Sequence, residues 1–218
     1  MELLNDADVR VLGSLIEKEL TTPESYPLSL NALTGACNQS SNREPVVQFD
    51  DATVKAAVDR LRKYSLVRSI QRSDARVMKY MHLMDEAMNL ERPEIAVMCV
   101  LMLRGPQTVG EIRTRTGRLF EFQSLEEVEA TLNILATRSP SALVARLARQ
   151  PGQKEARYAH LLSGEPTLDT RPQAPLDVPA EVHHEPDRLG ALESTVAALR
   201  TEVADLRAEI AEFRRLLE

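Results

Sequence analysis

The chain has no tryptophan, and aromatic residues make up only 4% of its 218 residues. A hydrophobic core must therefore be built from aliphatic side chains. Long apolar runs are missing as well, since no segment reaches the roughly 18 residues needed to cross a bilayer. The N-terminal residues also lack the basic and apolar segments of a signal peptide. These absences predict a cytoplasmic protein without a membrane segment.

Cysteine is scarce, and the clusters of side chains that carry catalysis are missing. Cys37 and Cys99 each lie among apolar residues and form no CxxC motif, which favours reduced, buried thiols over a disulfide framework or a zinc site. A phosphate-binding glycine-rich loop and a strand–turn–helix motif around a nucleophilic serine are also missing. We therefore expect a protein that is not an enzyme and that binds neither a cofactor nor a metal.

The formal net charge of the chain is −6, which is not the usual charge of a nucleic-acid-binding protein. Most of the acidic excess lies in residues 163–218, and the remaining sequence is close to neutral. The charge therefore weakens a hypothesis of nucleic-acid binding without excluding it.

Helix and strand signals occur in the same order twice along the chain. The first copy has predicted helices over 6–20, after Pro27 and over 51–64, followed by strands over 66–72 and 76–83. The second copy has predicted helices over 94–104, 108–117 and 124–138, followed by strands over 143–149 and 156–161. Asn5 is a plausible N-cap, and capping boxes begin at Thr108 and Ser124.

Three helices followed by a hairpin form the pattern of a winged-helix domain. The sequence therefore predicts an α+β fold that is mostly α-helical with small β-hairpins. It predicts two tandem winged-helix domains, over residues 1–86 and 87–162. A linker with five prolines follows over residues 163–187, and a C-terminal coiled-coil helix over residues 188–218.

The C-terminal segment carries apolar residues at an unbroken spacing of three and four, which is typical of a coiled coil. The residues of this seam are Leu189, Leu192, Val196, Leu199, Val203, Leu206, Ile210, Phe213 and Leu217. Mostly β-branched residues at one seam position and mostly leucines at the other favour a parallel two-stranded coil, and the flanking charges agree. We expect a homodimer. The alternative is one amphipathic helix folded back on the body.

A family resemblance covers about residues 3–162. The segment Leu20–Leu33, which reads LTTPESYPLSLNAL, and the polar loop that follows it over Cys37–Pro45 resemble the signature of the YceH-like family of uncharacterised bacterial proteins. The segment Gly110–Arg115 is similar to the second domain of that family. The resemblance implies tandem winged-helix domains in a bacterial protein. It implies no established activity, and no functional residues are carried over from it.

In winged-helix proteins the third helix enters the major groove of DNA and the hairpin contacts the backbone. The outward face of the third helix in the first copy combines basic residues with Ala52 and Ala56, which permit close approach to a groove. The hairpin tip and the loop over 38–45 supply further basic side chains. The predicted DNA-binding residues are Lys55, Arg60, Lys63, Arg72, Arg76 and Arg43.

Two observations oppose this prediction. Acidic residues lie at the start of the same helix, where a phosphate would otherwise bind, and Asx turns in the loop over 38–45 are a simpler explanation of its composition. In the second copy, Glu126 and Glu127 oppose insertion of the third helix into DNA, and an outward Ile134 indicates a protein-binding surface.

The leading hypothesis from the sequence is a dimeric DNA-binding protein that regulates transcription, with duplex DNA and a second copy of itself as partners. The alternative is a non-enzymatic scaffold whose winged-helix domains dock other proteins, chiefly through the second domain.

Overall fold

A computed structural model of the chain describes residues 3–71, 77–149 and 155–165. Within these residues the fold is α+β and mostly helical. The helices are α1 (Asp6–Thr21), α2 (Leu30–Cys37), α3 (Asp51–Lys63), α4 (Met84–Met88), α5 (Arg92–Arg104), α6 (Val109–Thr116) and α7 (Leu125–Thr137). The strands are β1 (Leu28–Ser29), β2 (Val67–Ile70), β3 (Lys79–His82), β4 (Val144–Arg146) and β5 (Tyr158–His160).

The first copy of the repeat contains α1, β1, α2, α3, β2 and β3. Its three strands form an antiparallel sheet in the order β1-β3-β2, with Leu28 and Ser69 both opposite Tyr80. The two-residue strand β1 was not predicted, because it is too short to show alternation. Its last residue, Ser29, is also the N-cap of α2 and accepts a hydrogen bond from the Ala32 N–H.

The second copy contains α5, α6, α7, β4 and β5, and it repeats this pairing in a reduced form. Strands β4 and β5 are antiparallel. Gln107, immediately before the N-cap Thr108 of α6, exchanges backbone hydrogen bonds of 3.0 and 2.7 Å with Tyr158. Both copies therefore pair the residues before their second helix with their last strand.

The helix boundaries follow the predicted caps closely. Thr108 forms the expected capping box with Glu111, and the predicted N-cap Asn5 forms a capping box with Asp8 as well. At α7, Ser124 accepts from the Glu127 N–H, but the Glu127 carboxylate accepts from the Gln123 N–H rather than from Ser124. The predicted capping box at Ser124 is therefore only half formed.

The helical period of α7 predicts Leu125, Val128, Leu132 and Leu135 as core positions, and one of the four is wrong. Val128, Leu132 and Leu135 are buried, as the helical period predicts, but Leu125 is 44% exposed. Leu125 is the first residue of α7, and helical side chains lean towards the N-terminus, so its side chain extends past the end of the helix.

A single hydrophobic core contains residues of both copies, although the sequence predicts them to be two separate domains. Helices α1 and α5 lie at its centre, and every residue from Glu94 to Leu103 is buried. Their close approach depends on Gly13, whose backbone lies against Leu103 and Met102. The ends of the described fold also meet, because the Leu4 N–H donates to the Leu162 carbonyl at 2.8 Å.

Several sequence predictions lie outside the described residues. These are the hairpin tip over 73–75, the Pro151-Gly152 turn, the part of the 163–187 linker that follows residue 165, and the coiled-coil seam from Leu189 to Leu217. Among the helices that the structure describes, none has both the length and the apolar composition needed to cross a bilayer.

Candidate nucleic-acid interface

Helix α3 presents one face to the core and the opposite face to solvent. The Asp50 side chain caps its N-terminus by accepting from the Thr53 N–H at 2.8 Å. The buried stripe consists of Val54, Ala57, Val58 and Leu61. The outward positions Ala52 and Ala56 are exposed, as the helical period predicts. The sequence therefore predicted the orientation of α3 correctly.

Three basic side chains remain on the outward face of α3: Lys55, Arg62 and Lys63, here called the α3 basic surface. Lys55 Nζ lies 2.5 Å from Asp59 Oδ2, and Arg62 Nη1 lies 3.6 Å from Asp59 Oδ1. Both ion pairs are about half exposed, so they are weak and exchange readily for other anions. Lys63 is exposed and has no ion pair with any described residue.

Arg60 does not belong to this surface. Its Nε and Nη2 atoms lie 2.9 and 2.8 Å from Oδ1 of the buried Asp8 on α1. Asp8 is also the capping-box residue of α1. Arg60 therefore joins α3 to the start of α1, and its prediction as a DNA contact is corrected to a structural role.

Arg43 is likewise a structural residue, because its side chain is completely buried. Its Nη2 atom lies 2.6 Å from Glu17 Oε2, and its Nε and Nη2 atoms donate to the Ala36 carbonyl at 3.1 and 2.8 Å. Arg43 thus binds both α1 and the C-terminal end of α2. A buried guanidinium with these partners does not reach a phosphate in solvent, so its predicted DNA contact is also corrected.

The polar loop around Arg43 is held by its own side chains. Asn38 donates to the Phe49 carbonyl at 2.7 Å and accepts from the Phe49 N–H at 2.8 Å. Arg10 donates to the carbonyls of Cys37 and Pro45 at 3.3 and 2.5 Å. These contacts agree with the structural explanation of the loop rather than with ligand binding.

The hairpin adds two basic residues that the sequence analysis missed. Arg72 and Arg76 lie outside the described residues, but Arg68 and Lys79 are exposed on β2 and β3. The register places Arg68 opposite Met81 and Lys79 opposite Ile70, so these side chains share the face away from the buried Tyr80. Alternation from the apolar positions of each strand could have identified both.

The charge along α3 is polarised. Hydrogen bonds from Thr53 lower the pKa of Asp50, which keeps that N-cap ionised. Asp51 beside it accepts from the Thr34 hydroxyl at 2.6 Å. Arg62 and Lys63 lie at the other end of the helix. The first turn therefore repels a polyanion and the last turn attracts one.

The surface of α7 is different in character. Glu126 and Glu129 are exposed, and Ile134 is 54% exposed on the same helix. Arg113 in the second copy donates to the carbonyls of Phe122 and Gln123, and Arg157 pairs with Glu111 at 2.9 Å. The basic side chains of the second copy are thus partly committed to internal contacts.

Neither cysteine is suited to act as a nucleophile. Cys37 and Cys99 are free and buried, and burial raises the pKa of both thiols. Both therefore remain protonated and shielded from solvent near neutral pH. Within the described residues, no group of three or more histidine, cysteine or acidic side chains is arranged to hold a metal ion.

Within the described residues, the chain is an α+β protein. A unit of three helices and a small antiparallel sheet occurs twice around one hydrophobic core, and the third helix of the first copy is basic. A family model described as "Protein of unknown function, DUF480" matches residues 4–153, and the chain belongs to this family.

Bacterial relatives support this assignment over most of the chain. A UPF0502 protein of Geobacter sulfurreducens is 50% identical over 198 residues, covering 89% of each chain. A UPF0502 protein of Aliivibrio fischeri is 46% identical over 203 residues, covering 90% of this chain and 91% of its own. A UPF0502 protein of Opitutus terrae is 49% identical over 181 residues, covering 83% and 79%. The resemblance to the uncharacterised YceH-like family is confirmed.

Proposed function

We propose that this protein is a dimeric winged-helix DNA-binding protein that regulates transcription. The observation that carries the proposal is the position of α3. It is the third helix of a unit whose sheet pairs the residues before the second helix with the last strand, and it turns its basic surface outward. The third helix of a winged-helix domain is the element that enters the major groove.

The distribution of charge predicts how α3 meets a duplex. Asp50 and Asp51 keep the first turn away from phosphates, so the contacts run through the last turn. There, Arg62 and Lys63 reach the backbone, and the exposed Ala56 in the middle of the helix permits its close approach to the groove. Affinity then comes mainly from phosphate neutralisation.

The hairpin extends this surface. Arg68 and Lys79 lie on the solvent face of the sheet, and β2 is in contact with α3. Arg68 has one weak ion pair, 4.0 Å from Glu86, which leaves it able to exchange that partner for a phosphate. The hairpin of a winged-helix protein commonly contacts the DNA backbone, so these residues are its candidate contacts.

The C-terminal seam supplies the dimer in this proposal. Its nine apolar residues repeat at heptad spacing from Leu189 to Leu217. A parallel coiled coil would bring two copies of α3 to one duplex and double the number of phosphate contacts. Two weakly basic surfaces would then bind the same duplex. Their combined affinity would compensate for the near-neutral charge of residues 1–162 in each protomer.

The proposal is tested by titrating a fluorescent mixed-sequence duplex with the full chain at several salt concentrations. Each phosphate contact contributes about 0.9 to the slope of log K against log salt. The double variant R62Q/K63Q should lower the slope by about 2 per protomer. Its matched control is R92Q/R146Q, which also removes two positive charges, because Arg92 on α5 and Arg146 on β4 are exposed basic residues outside α3.

Binding that weakens with salt, with a lower slope in R62Q/K63Q and an unchanged slope in R92Q/R146Q, supports the proposal. Failure of the full chain to bind any duplex at about 50 mM salt, where phosphate contacts are strongest, overturns it. Equal binding by R62Q/K63Q and by its control variant also overturns the proposal.

A second candidate function is protein docking through α7. The exposed Ile134, on the same helix as Glu126 and Glu129, supports it, because an isolated apolar residue among acids fits a basic partner better than DNA. Affinity capture from nuclease-treated bacterial lysate would compare the full chain with I134D. A protein retained by the wild type and lost with I134D supports docking, and the same retained set with both opposes it.

A further inference from the structure

A cavity of about 310 Å³ lies where the loop of the first copy meets α5 and α6 of the second. Three arginines line it: Arg104 from α5, Arg115 from α6, and Arg118 just beyond α6. It opens at the surface beside Arg118 and the exposed Thr114. Its size falls at the lower end of the range of about 300–1,000 Å³ found for small-molecule sites.

Neutral amides, not carboxylates, hold two of these arginines. Arg104 donates to the side-chain oxygen of Asn42, and Arg115 donates to the side-chain oxygen of Gln107. Gln107 is buried, and its amide nitrogen donates in turn to the Arg104 carbonyl at 2.9 Å. The amides orient the two guanidiniums, and neither guanidinium forms an ion pair with a described carboxylate.

Two of the carboxylates near the cavity are paired with other arginines. Glu17 lies in the wall, but Arg43 neutralises it at 2.6 Å. Glu111 is paired with Arg157 at 2.9 Å. Glu44, which also acts on Arg104, is exposed and forms no ion pair within the described residues. The cavity therefore collects positive charge, although the chain as a whole is acidic.

Arg104 is affected both by its burial and by the neighbouring positive charge. Burial first, and then the positive charge of Arg115, lower the pKa of Arg104 from its ordinary value. The C-terminal end of α6 contributes a partial negative charge of only about half a unit, which is small beside three guanidiniums. A bound anion would relieve this mutual repulsion.

We propose that the cavity is a binding site for a small organic anion, whose phosphate or carboxylate group is held by Arg104, Arg115 and Arg118. Guanidinium groups suit both anions, because their planar donors match two oxygens at once. Val100, Leu103 and Leu119 line another part of the cavity, so the ligand carries an apolar part beside its charged group. The site is independent of DNA binding.

The test uses four probes in calorimetric titrations of the full chain at constant ionic strength: inorganic phosphate, phenyl phosphate, benzoate and chloride. Phenyl phosphate should bind more tightly than inorganic phosphate, because its ring buries apolar surface against Leu103 and Leu119. Comparison of phenyl phosphate with benzoate distinguishes a phosphate site from a carboxylate site. Chloride controls for general ionic effects.

The decisive variant is Arg118→Gln. Arg118 has no hydrogen bond or ion pair to another described residue, so its loss leaves the fold intact. The change should weaken the binding of the better probe by about tenfold, since a hydrogen bond between charged groups is removed. Arg146→Gln, which removes an exposed arginine on β4 away from the cavity wall, should leave binding unchanged.

Two results would overturn the proposal. The first is that neither phenyl phosphate nor benzoate binds at concentrations up to about 10 mM. The second is that Arg118→Gln and Arg146→Gln change the affinity equally, which would mean that the probes respond only to total charge.

Discussion

Gly13 on α1 and Leu103 on α5 are in direct contact where the two copies of the repeat meet. A Cβ atom at Gly13 would lie 2.9 Å from Leu103 Cδ2 and 3.2 Å from Met102 Cβ. The Cys99 thiol also donates to the Gly13 carbonyl at 3.5 Å. The absence of a side chain at this position therefore sets the separation of the two central helices.

Substitution of Gly13 by alanine is expected to destabilise the fold. The new methyl group overfills a packed interface, and the free energy of unfolding should fall by about 1–3 kcal/mol. Denaturant titration measures this change in the free energy of unfolding. The control is G35A, because Gly35 on α2 has open space around it, and better helix propensity should raise stability by about 0.5–1 kcal/mol. A G13A protein as stable as the wild type would contradict this account.

The pair of Glu17 and Arg43 is expected to dominate the stability of the polar loop. Arg43→Met leaves a buried carboxylate without a partner and should lower the free energy of unfolding by about 3–5 kcal/mol. The exposed pair on α3 provides the control, since Lys55→Met should lower it by less than about 1 kcal/mol.

The double variant R43M/E17L should recover part of this loss, because it removes the unpaired charge. Full recovery is not expected, since Arg43 also donates to the Ala36 carbonyl. Chemical denaturation of all four proteins at neutral pH checks the series. Equal losses in R43M and K55M would show that burial does not matter here.

Stability is expected to decrease in mild acid because of His160. Burial lowers the pKa of His160 from 6.5 to about 4, while Asp6 opposes the change. Between these values the unfolded chain binds a proton that the folded chain excludes. The contribution of His160 is therefore complete above pH 6.5 and is lost progressively as the pH falls towards 4, up to about 3 kcal/mol.

The variant His160→Leu tests this assignment, because it removes the titrating group. The free energy of unfolding measured between pH 7 and pH 4.5 should fall less steeply in the variant than in the wild type. If the two slopes agree, another group is responsible for the acid sensitivity.

The C-terminal seam is expected to hold the dimer together. Deletion of residues 188–218 should halve the mass measured by light scattering. Within the full chain, Leu206→Asp charges the apolar seam and should dissociate the dimer, whereas Thr201→Asp changes a position on the outer side of the predicted coil and should not. A truncated chain that retains its full mass would place the dimer contact in the body.

Local signals were enough to predict the helices. The caps at Asn5 and Thr108 and the buried stripe of α3 were predicted because they depend on residues only a few positions apart. Strand β1 was missed because two residues show no periodicity, and its pairing with β3 is made across about 50 residues of chain. Leu125 was assigned wrongly because the helical period does not show that the first side chain of α7 extends past the end of the helix.

The candidate sites depended more on tertiary contacts. Periodicity placed Arg60 on the surface of its helix. Its partner Asp8 lies on α1, and the sequence does not show that α1 and α3 are in contact at this point. The ion pair between Arg43 and Glu17 is likewise a tertiary contact that local sequence patterns do not reveal. The arginines of the cavity come from separate elements, and only their convergence distinguishes them from other exposed arginines. The character of a charged residue thus follows from its partners, which the sequence alone does not identify.

The hydrogen bond from Leu4 to Leu162 closes the described fold into a ring, because its two ends are neighbours in space. The two ends could therefore be joined and the chain opened at another loop without changing the contacts in the core. Such a circularly permuted chain should form the same helices. The segment that follows Leu162 also starts beside α1.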